Sequence, residues 1–133
     1  MIAGVADTHA ALWFLFGDSR LPATAKDFID RAAVARRKIA LAPISLAEVV
    51  YLIEKNRLPA SAFDDLRKAL ANPNHVLEEA PFTVEVVESM RRVPRLEVPE
   101  MPDRIVAATG VYFGVPVISR DGCIRASCVQ TIW

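Results

Sequence analysis

A chain of 133 residues with 53% apolar and 24% charged residues has the size and composition of one folded domain, so we expect a single domain over residues 1–133. A formal net charge of zero argues against a protein that coats nucleic acid through bulk positive charge, although a neutral chain can still carry local basic surface. The apolar run over residues 10–16 is far shorter than the ~20 residues of a membrane span, and no basic segment precedes an apolar one at the N-terminus, so we expect a cytoplasmic protein without membrane contact.

Short apolar runs alternate with helical patterns along the chain. The elements predicted in the first half are a strand over 2–6, a helix from 7–8 to 16, a helix from 21–22 to 36–38, a strand over 39–42, a helix beginning at Ser45 and a helix from Pro59 to Asn72. Those of the second half are a strand at 76–77, a helix over 83–92, a proline-marked loop over 94–102, a helix from Asp103 to Gly114 and strands over 115–119 and 129–133. This alternation predicts an α/β fold with a mainly parallel central sheet.

Four carboxylates stand near the ends of these predicted elements. Asp7 follows the first strand and Asp121 follows the strand over 115–119, while Glu48 and Asp103 lie in the first turns of two helices. In an open parallel sheet, ligands bind at the carboxyl ends of the strands. Four acids that are distant in sequence are therefore candidates for one shared site.

Each of these acids also has an interpretation that involves no site. Ser45 and Glu48 fit the S-x-x-E capping box, in which Glu48 returns a hydrogen bond to the backbone of Ser45. Asp7 fits a helix N-cap, Asp103 a favourable position in the field of a helix N-terminus, and Asp121 an ordinary turn. Taken singly, each acid is better explained in this way, so the case for a site depends on the four together.

The segments that contain the acids resemble the PIN-domain family over nearly the whole chain. The matching segments are Val5-Ala6-Asp7-Thr8-His9-Ala10, Ile44-Ser45-Leu46-Ala47-Glu48-Val49, Pro102-Asp103-Arg104-Ile105-Val106-Ala107-Ala108-Thr109 and Val117-Ile118-Ser119-Arg120-Asp121. The small size is similar to the VapC toxin subgroup, whose members are toxins of toxin–antitoxin pairs. The resemblance implies a three-layer fold with a five-stranded parallel sheet flanked by helices, and a metal-dependent cut in single-stranded or structured RNA. It places Asp7, Glu48, Asp103 and Asp121 on the family's acidic quartet and Ser119 on its adjacent hydroxyl position.

Carboxylates suit Mg²⁺ or Mn²⁺, because these hard cations prefer oxygen ligands, and Mg²⁺ keeps several waters while one or two carboxylates hold it. Such an ion activates water without a histidine base. We expect Asp7 and Asp103 to be direct ligands, and Glu48 to be a ligand or to orient the attacking water. Asp121 is expected to bind a second ion or to hold water. Ser119 is expected to orient Asp121 or to contact the phosphate.

Basic and apolar residues near these segments indicate partners. Arg104 and Arg120 adjoin proposed site acids, and contacts to RNA phosphates or ion pairs to those acids explain them equally well. Any exposed part of the apolar helices around Trp13, Val49 and Tyr51 suits a homodimer or an antitoxin helix.

Three other residues carry weaker signals. Cys123 and Cys128 have neither a C-x-x-C spacing nor paired histidines, so buried, reduced thiols are expected instead of a zinc site. His9 stands two residues after Asp7 and is expected to be a residue of the helix turn and not a metal ligand.

Two other functions are compatible with acids at strand ends. A phosphoryl-transfer domain, such as a receiver or an aspartate-nucleophile phosphatase, also places acids there with Mg²⁺. Asp7-Thr8-His9 lacks the second aspartate of the phosphatase pattern, and Ser119-Arg120-Asp121 lacks the lysine that a receiver needs. The other alternative is a catalytically silent interaction module with the same fold, which four retained like charges disfavour.

Overall fold

One parallel sheet organises the protein in a computed structural model that describes all residues, 1–133. Its strands are β1 Ile2–Ala6, β2 Lys38–Leu41, β3 Leu77–Glu79, β4 Val117–Ile118 and β5 Thr131–Ile132. Each pair of neighbouring strands is parallel, and the strand order is β3-β2-β1-β4-β5. The expected five-stranded parallel sheet is confirmed, with β1 at its centre.

Helices form the connections between the strands. They are α1 Thr8–Phe16, α2 Ala23–Val34, α3 Pro43–Glu54, α4 Ser61–Ala71, α5 Val84–Ser89, α6 Met101–Phe113 and α7 Gly122–Ala126, with a 3₁₀ turn over Met90–Arg92. None of these helices combines the length and the apolar character that a membrane span requires.

Apolar side chains cover both faces of the sheet, which gives the three-layer architecture. In β1, Val5 packs into the core on one face and Ala6 into the core on the other, and in β2 Ala40 and Leu41 alternate in the same way. Helices α1, α2 and α4 cover one face, while α6 and α7 cover the other. Burial on both faces explains why these strands are continuous apolar runs in the sequence.

The start of α3 differs from the sequence prediction. The helix begins at Pro43, because proline at the first helical position is already in a helical φ, and Ala42 is the N-cap. Ser45 therefore lies inside the first turn, and its buried hydroxyl has no hydrogen-bond partner. Glu48 accepts a hydrogen bond from Thr8. The predicted capping box between Ser45 and Glu48 is wrong.

The C-terminal region also differs from the prediction. Asp121 is the N-cap of α7, a helix that the sequence does not predict, and not part of a simple turn. Cys123 and Cys128 are free thiols, but both are exposed and not buried. Cys123 is exposed because α7 buries only Ile124 against the sheet.

The strand order excludes the receiver domain, one of the alternatives considered from the sequence. Receiver domains have the flavodoxin-like order 2-1-3-4-5, in which β1 and β3 flank the crevice. Here β1 lies between β2 and β4. The receiver interpretation is therefore wrong.

Gly110 allows α6 to lie directly against β4, and its substitution tests this packing. A Cβ at Gly110 would lie 2.6 Å from Cγ2 of Val117 and 3.2 Å from the carbonyl oxygen of Val115. We expect Gly110→Ala to lower the free energy of unfolding by about 1–2 kcal/mol, because the strain exceeds the gain in helix propensity. Melting curves measure the change.

Gly122→Ala is the matched control for this substitution. A Cβ at Gly122 meets no atom within 4 Å, so we expect a change below about 0.5 kcal/mol. Equal melting temperatures for Gly110→Ala and the wild type would contradict the close packing of α6 on β4.

Candidate functional site

The carboxyl ends of β1 and β4 bring the predicted acids to one edge of the sheet. The chain runs from β1 through β2 to β3 on one side and returns to β4 and β5 on the other, so the boundary between β1 and β4 is the topological switch point. Asp7 follows β1 directly, and Asp121 follows β4. Asp103 lies in the first turn of α6, and Glu48 lies in α3, one turn deeper than predicted.

Asp7 is held by the start of α1. It is the N-cap of this helix, and its Oδ1 accepts a hydrogen bond from the backbone N–H of Ala10 at 2.8 Å. Burial raises the pKa of the Asp7 carboxyl, and the neighbouring hydroxyl of Ser119 partly offsets this rise. The N-cap interpretation is therefore correct, but it does not exclude a site role, because a carboxylate has two oxygens.

Thr8 connects the beginning of α1 to Glu48. Its Oγ1 donates a hydrogen bond to Oε1 of Glu48 at 3.0 Å, and the Thr8 side chain is only 4% exposed. Sequence reasoning missed Thr8 as a site residue. Since Asp7 already caps α1, a buried threonine hydroxyl at the next position needs another partner, and this was the available signal.

Ser119 fixes the turn after β4. The residue is fully buried, and its Oγ accepts a hydrogen bond from the backbone N–H of Asp121 at 3.0 Å. Asp121 in turn caps α7, where its Oδ1 accepts from the backbone N–H of Ile124 at 2.9 Å. These contacts set the direction of the Asp121 carboxylate.

The pKa of Asp103 responds to the negative charges of the other three acids. Burial raises the pKa of Asp103 to about 6, and the negative charges of Asp121, Glu48 and Asp7 add to the rise. Each ion pair of the protein lies elsewhere, so none of these four carboxylates forms a salt bridge. We call Asp7, Glu48, Asp103 and Asp121 the acidic edge, and its negative charge is not neutralised by any ion pair.

The donor chemistry of this edge fits a hard divalent cation. Four carboxylates without an ion-pair partner supply the oxygen ligands that Mg²⁺ and Mn²⁺ prefer. No three or more His, Cys, Asp and Glu side chains are arranged so that together they could hold a metal ion. Three protein ligands are not required for Mg²⁺, since one or two carboxylates and several waters are its usual ligands in proteins.

The two arginines beside the acids have different environments. The guanidinium of Arg104 donates to the backbone carbonyls of Val93 at 2.8 Å and Met90 at 2.9 Å, so it anchors the segment after α5. Arg120 is exposed, and its guanidinium lies 4.9 Å from the ring centroid of Trp13. The ion-pair interpretation is wrong for both arginines. A phosphate contact stays a prediction for both arginines, although at Arg104 it would have to use the N–H groups that the two carbonyls leave free.

Comparisons with known proteins agree with this architecture. A family model described as the PIN domain matches residues 5–126, a segment that contains all four acids. One chain in the crystal structure of VapBC2 from Rickettsia felis, bound to a DNA fragment from their promoter, matches with a TM-score of 0.70. The match covers 98% of this chain and 97% of that chain at 16% sequence identity, so the likeness concerns the fold. No curated protein sequence matches significantly.

Removing one charge from the acidic edge should stabilise the metal-free protein. We expect Asp103→Asn to raise stability at about pH 7.5 by about 1 kcal/mol, or about 4 °C in melting temperature, after allowance for solvent screening. The folded pKa of Asp103, about 6, lies above the usual aspartate value of 3.8, so the folded wild type gains stability as pH falls through 6. The advantage of Asp103→Asn should therefore shrink toward about pH 5, as melting curves in EDTA will measure.

Asp65→Asn is the matched control, because Asp65 lies in α4 and forms no ion pair. It should show no comparable gain and no comparable pH dependence. Added Mg²⁺ should raise the melting temperature of the wild type more than that of Asp103→Asn. If Asp103 only stabilises the start of α6, Asp103→Asn will instead be destabilised and its response to Mg²⁺ will equal that of the wild type.

Proposed function

Because this chain belongs to the PIN-domain family, we propose that it is a metal-dependent endoribonuclease and the toxin of a toxin–antitoxin pair. Membership of a family of nucleases supports the cleavage of phosphodiester bonds. The fold shared with a chain of the VapBC2 structure supports the VapC-type assignment, which is also the subgroup that the sequence resembles.

The position of Asp7 and Asp121 after the neighbouring strands β1 and β4 carries the proposal, and the rise that the charges of Asp121, Glu48 and Asp7 cause in the pKa of Asp103 supports it. Two charges ~5 Å apart at an effective dielectric constant of ~20 repel each other by roughly 3 kcal/mol before screening by salt and solvent. The four carboxylates come from different elements, and the repulsion between their like charges opposes folding in the absence of a cation. A bound divalent cation removes this cost, which supports a metal site at the edge of the sheet.

The residues of the site divide into ligands and orienting groups. Asp7, Asp103 and Asp121 would hold Mg²⁺ or Mn²⁺, and Asp121 would serve a second ion or hold water. When bound, the ion supplies Lewis-acid chemistry that makes water nucleophilic near neutral pH and stabilises charge on the phosphodiester. Glu48, fixed by its hydrogen bond from α1, is a further ligand or orients the attacking water. Ser119 holds Asp121 in position through its backbone N–H.

The proposed location of the protein is the cytoplasm, and its proposed antitoxin acts on the same charges. A basic side chain from the partner, placed at or beside the acids, would neutralise them and displace the ion, because opposite charge is favoured where like charges crowd. A homodimer is proposed on separate grounds. In α3, Val50 is 39% exposed and Tyr51 is 66% exposed, whereas Trp13 and Val49 are buried, so α3 offers apolar surface to a second copy.

RNA cleavage tests the proposed activity directly. Purified protein freed of any partner should cleave total RNA with Mg²⁺ or Mn²⁺. Cleavage should stop in EDTA, because carboxylates alone supply no activated water. Asp103→Asn should lose activity by orders of magnitude, whereas Asp65→Asn should retain it. Gel electrophoresis of the RNA measures both. Cleavage at full rate in EDTA would reject the metal-dependent mechanism.

Growth of a bacterial host tests the toxin assignment. Expression of the wild type without a partner should arrest growth, because uncontrolled RNA cleavage stops protein synthesis, and expression of Asp103→Asn should be tolerated. Growth curves, with the amount of soluble protein measured for both, give the comparison. Harmless accumulation of soluble, folded wild type would count against a toxin.

A further inference from the structure

A cavity of about 580 Å³ lies beside the acidic edge, between α1 and the α3–α4 connection. We call it the arginine pocket, after the three arginines among its lining residues. The residues used below are His9, Trp13, Phe16, Arg20, Arg57 and Arg120. The pocket adjoins the acids, because His9 lies in the first turn of α1, which Asp7 caps, and Arg120 directly precedes Asp121.

The charge of the arginine pocket is opposite to that of the acidic edge. Arg20 is neutralised by Asp18 at 2.7 Å, and this contact lowers the pKa of Asp18 to about 2. Arg57 and Arg120 form no ion pair. Two uncompensated guanidinium groups therefore face a cavity next to uncompensated carboxylates, and guanidinium groups bind phosphate in bidentate geometry.

Aromatic rings shape the other part of the pocket. Trp13 is only 5% exposed, and the guanidinium carbons of Arg20 and Arg120 both lie 4.9 Å from its ring centroid. Trp13 therefore holds arginines in place and is not itself free to stack on a ligand. Phe16 is 46% exposed at the end of α1, so its ring is available to an unstacked base.

We infer that the arginine pocket binds the nucleotide next to the cleaved bond of a single-stranded RNA, with the phosphate at Arg57 and Arg120 and the base on Phe16. The inference rests on the proposed function, because it assigns part of the substrate of that site. The volume lies in the range of ~300–1,000 Å³ that is usual for small-ligand pockets. A base can enter such a cavity only from an unpaired strand, since bases of a duplex are stacked inside it.

RNA binding by variants tests the phosphate and the base separately. The assay is fluorescence anisotropy with a labelled single-stranded RNA of mixed sequence, in EDTA, on the Asp103→Asn background, which prevents cleavage. Arg57→Ala should weaken binding about tenfold and lower the slope of log Kd against log salt concentration by about 0.7, the value for one phosphate contact. Phe16→Ala should weaken binding about tenfold by loss of stacking and leave that slope unchanged.

Arg95→Ala is the matched control, because Arg95 is an exposed arginine outside the pocket without an ion pair. It should leave affinity and slope unchanged, and melting curves confirm that each variant is folded. An acidic segment of a protein partner is the competing occupant. In that case Arg57→Ala and Phe16→Ala will bind RNA like the control, which overturns the inference. Cleavage by the wild type is measured separately, so that failure of the nuclease proposal can be distinguished from failure of the arginine pocket to bind RNA.

Discussion

The position of β1 between β2 and β4 is the constraint on which the site depends. From β1 the chain builds the sheet through β2 to β3 on one side and later returns to add β4 and β5 on the other. The connections after β1 and β4 therefore diverge, and a crevice opens at the carboxyl ends of these two strands. Asp7 and Asp121 enter that crevice because each caps the helix that follows its strand. The same side chains therefore begin α1 and α7 and supply negative charge to the site, which couples the local formation of two helices to the chemistry of the edge.

Charge separation within a neutral chain gives this edge its chemical character. The chain has no net charge, yet four carboxylates lie together without a basic partner, and two unpaired arginines line the neighbouring pocket. Internal contacts restrict the possible roles of the basic side chains. Of the arginines near the site, Arg104 is bound to backbone carbonyls and Arg20 to Asp18, whereas Arg57 and Arg120 form no ion pair. Local fields of this kind, and not net charge, determine which ligands a surface attracts.

Most of the secondary structure could be predicted from the sequence, because its signals are local. The strand Ile2–Ala6 and the N-cap at Asp7 follow from an apolar run and from the hydrogen-bonding chemistry of a short carboxylate. Gly114 ends α6 as predicted, since it adopts a left-handed φ of 67°. The acids themselves were visible as residues at element ends, and the family resemblance grouped them.

The contacts of those acids were decided by the tertiary structure. Glu48 sits three residues after Ser45, a spacing that favours a capping box, yet its partner is Thr8, forty positions away in the sequence. Arg104 binds carbonyls that only the packing of α5 on α6 brings near it. Local sequence patterns cannot predict these hydrogen-bond partners. A side chain with two possible partners binds the one that the arrangement of strands and helices places within hydrogen-bond distance.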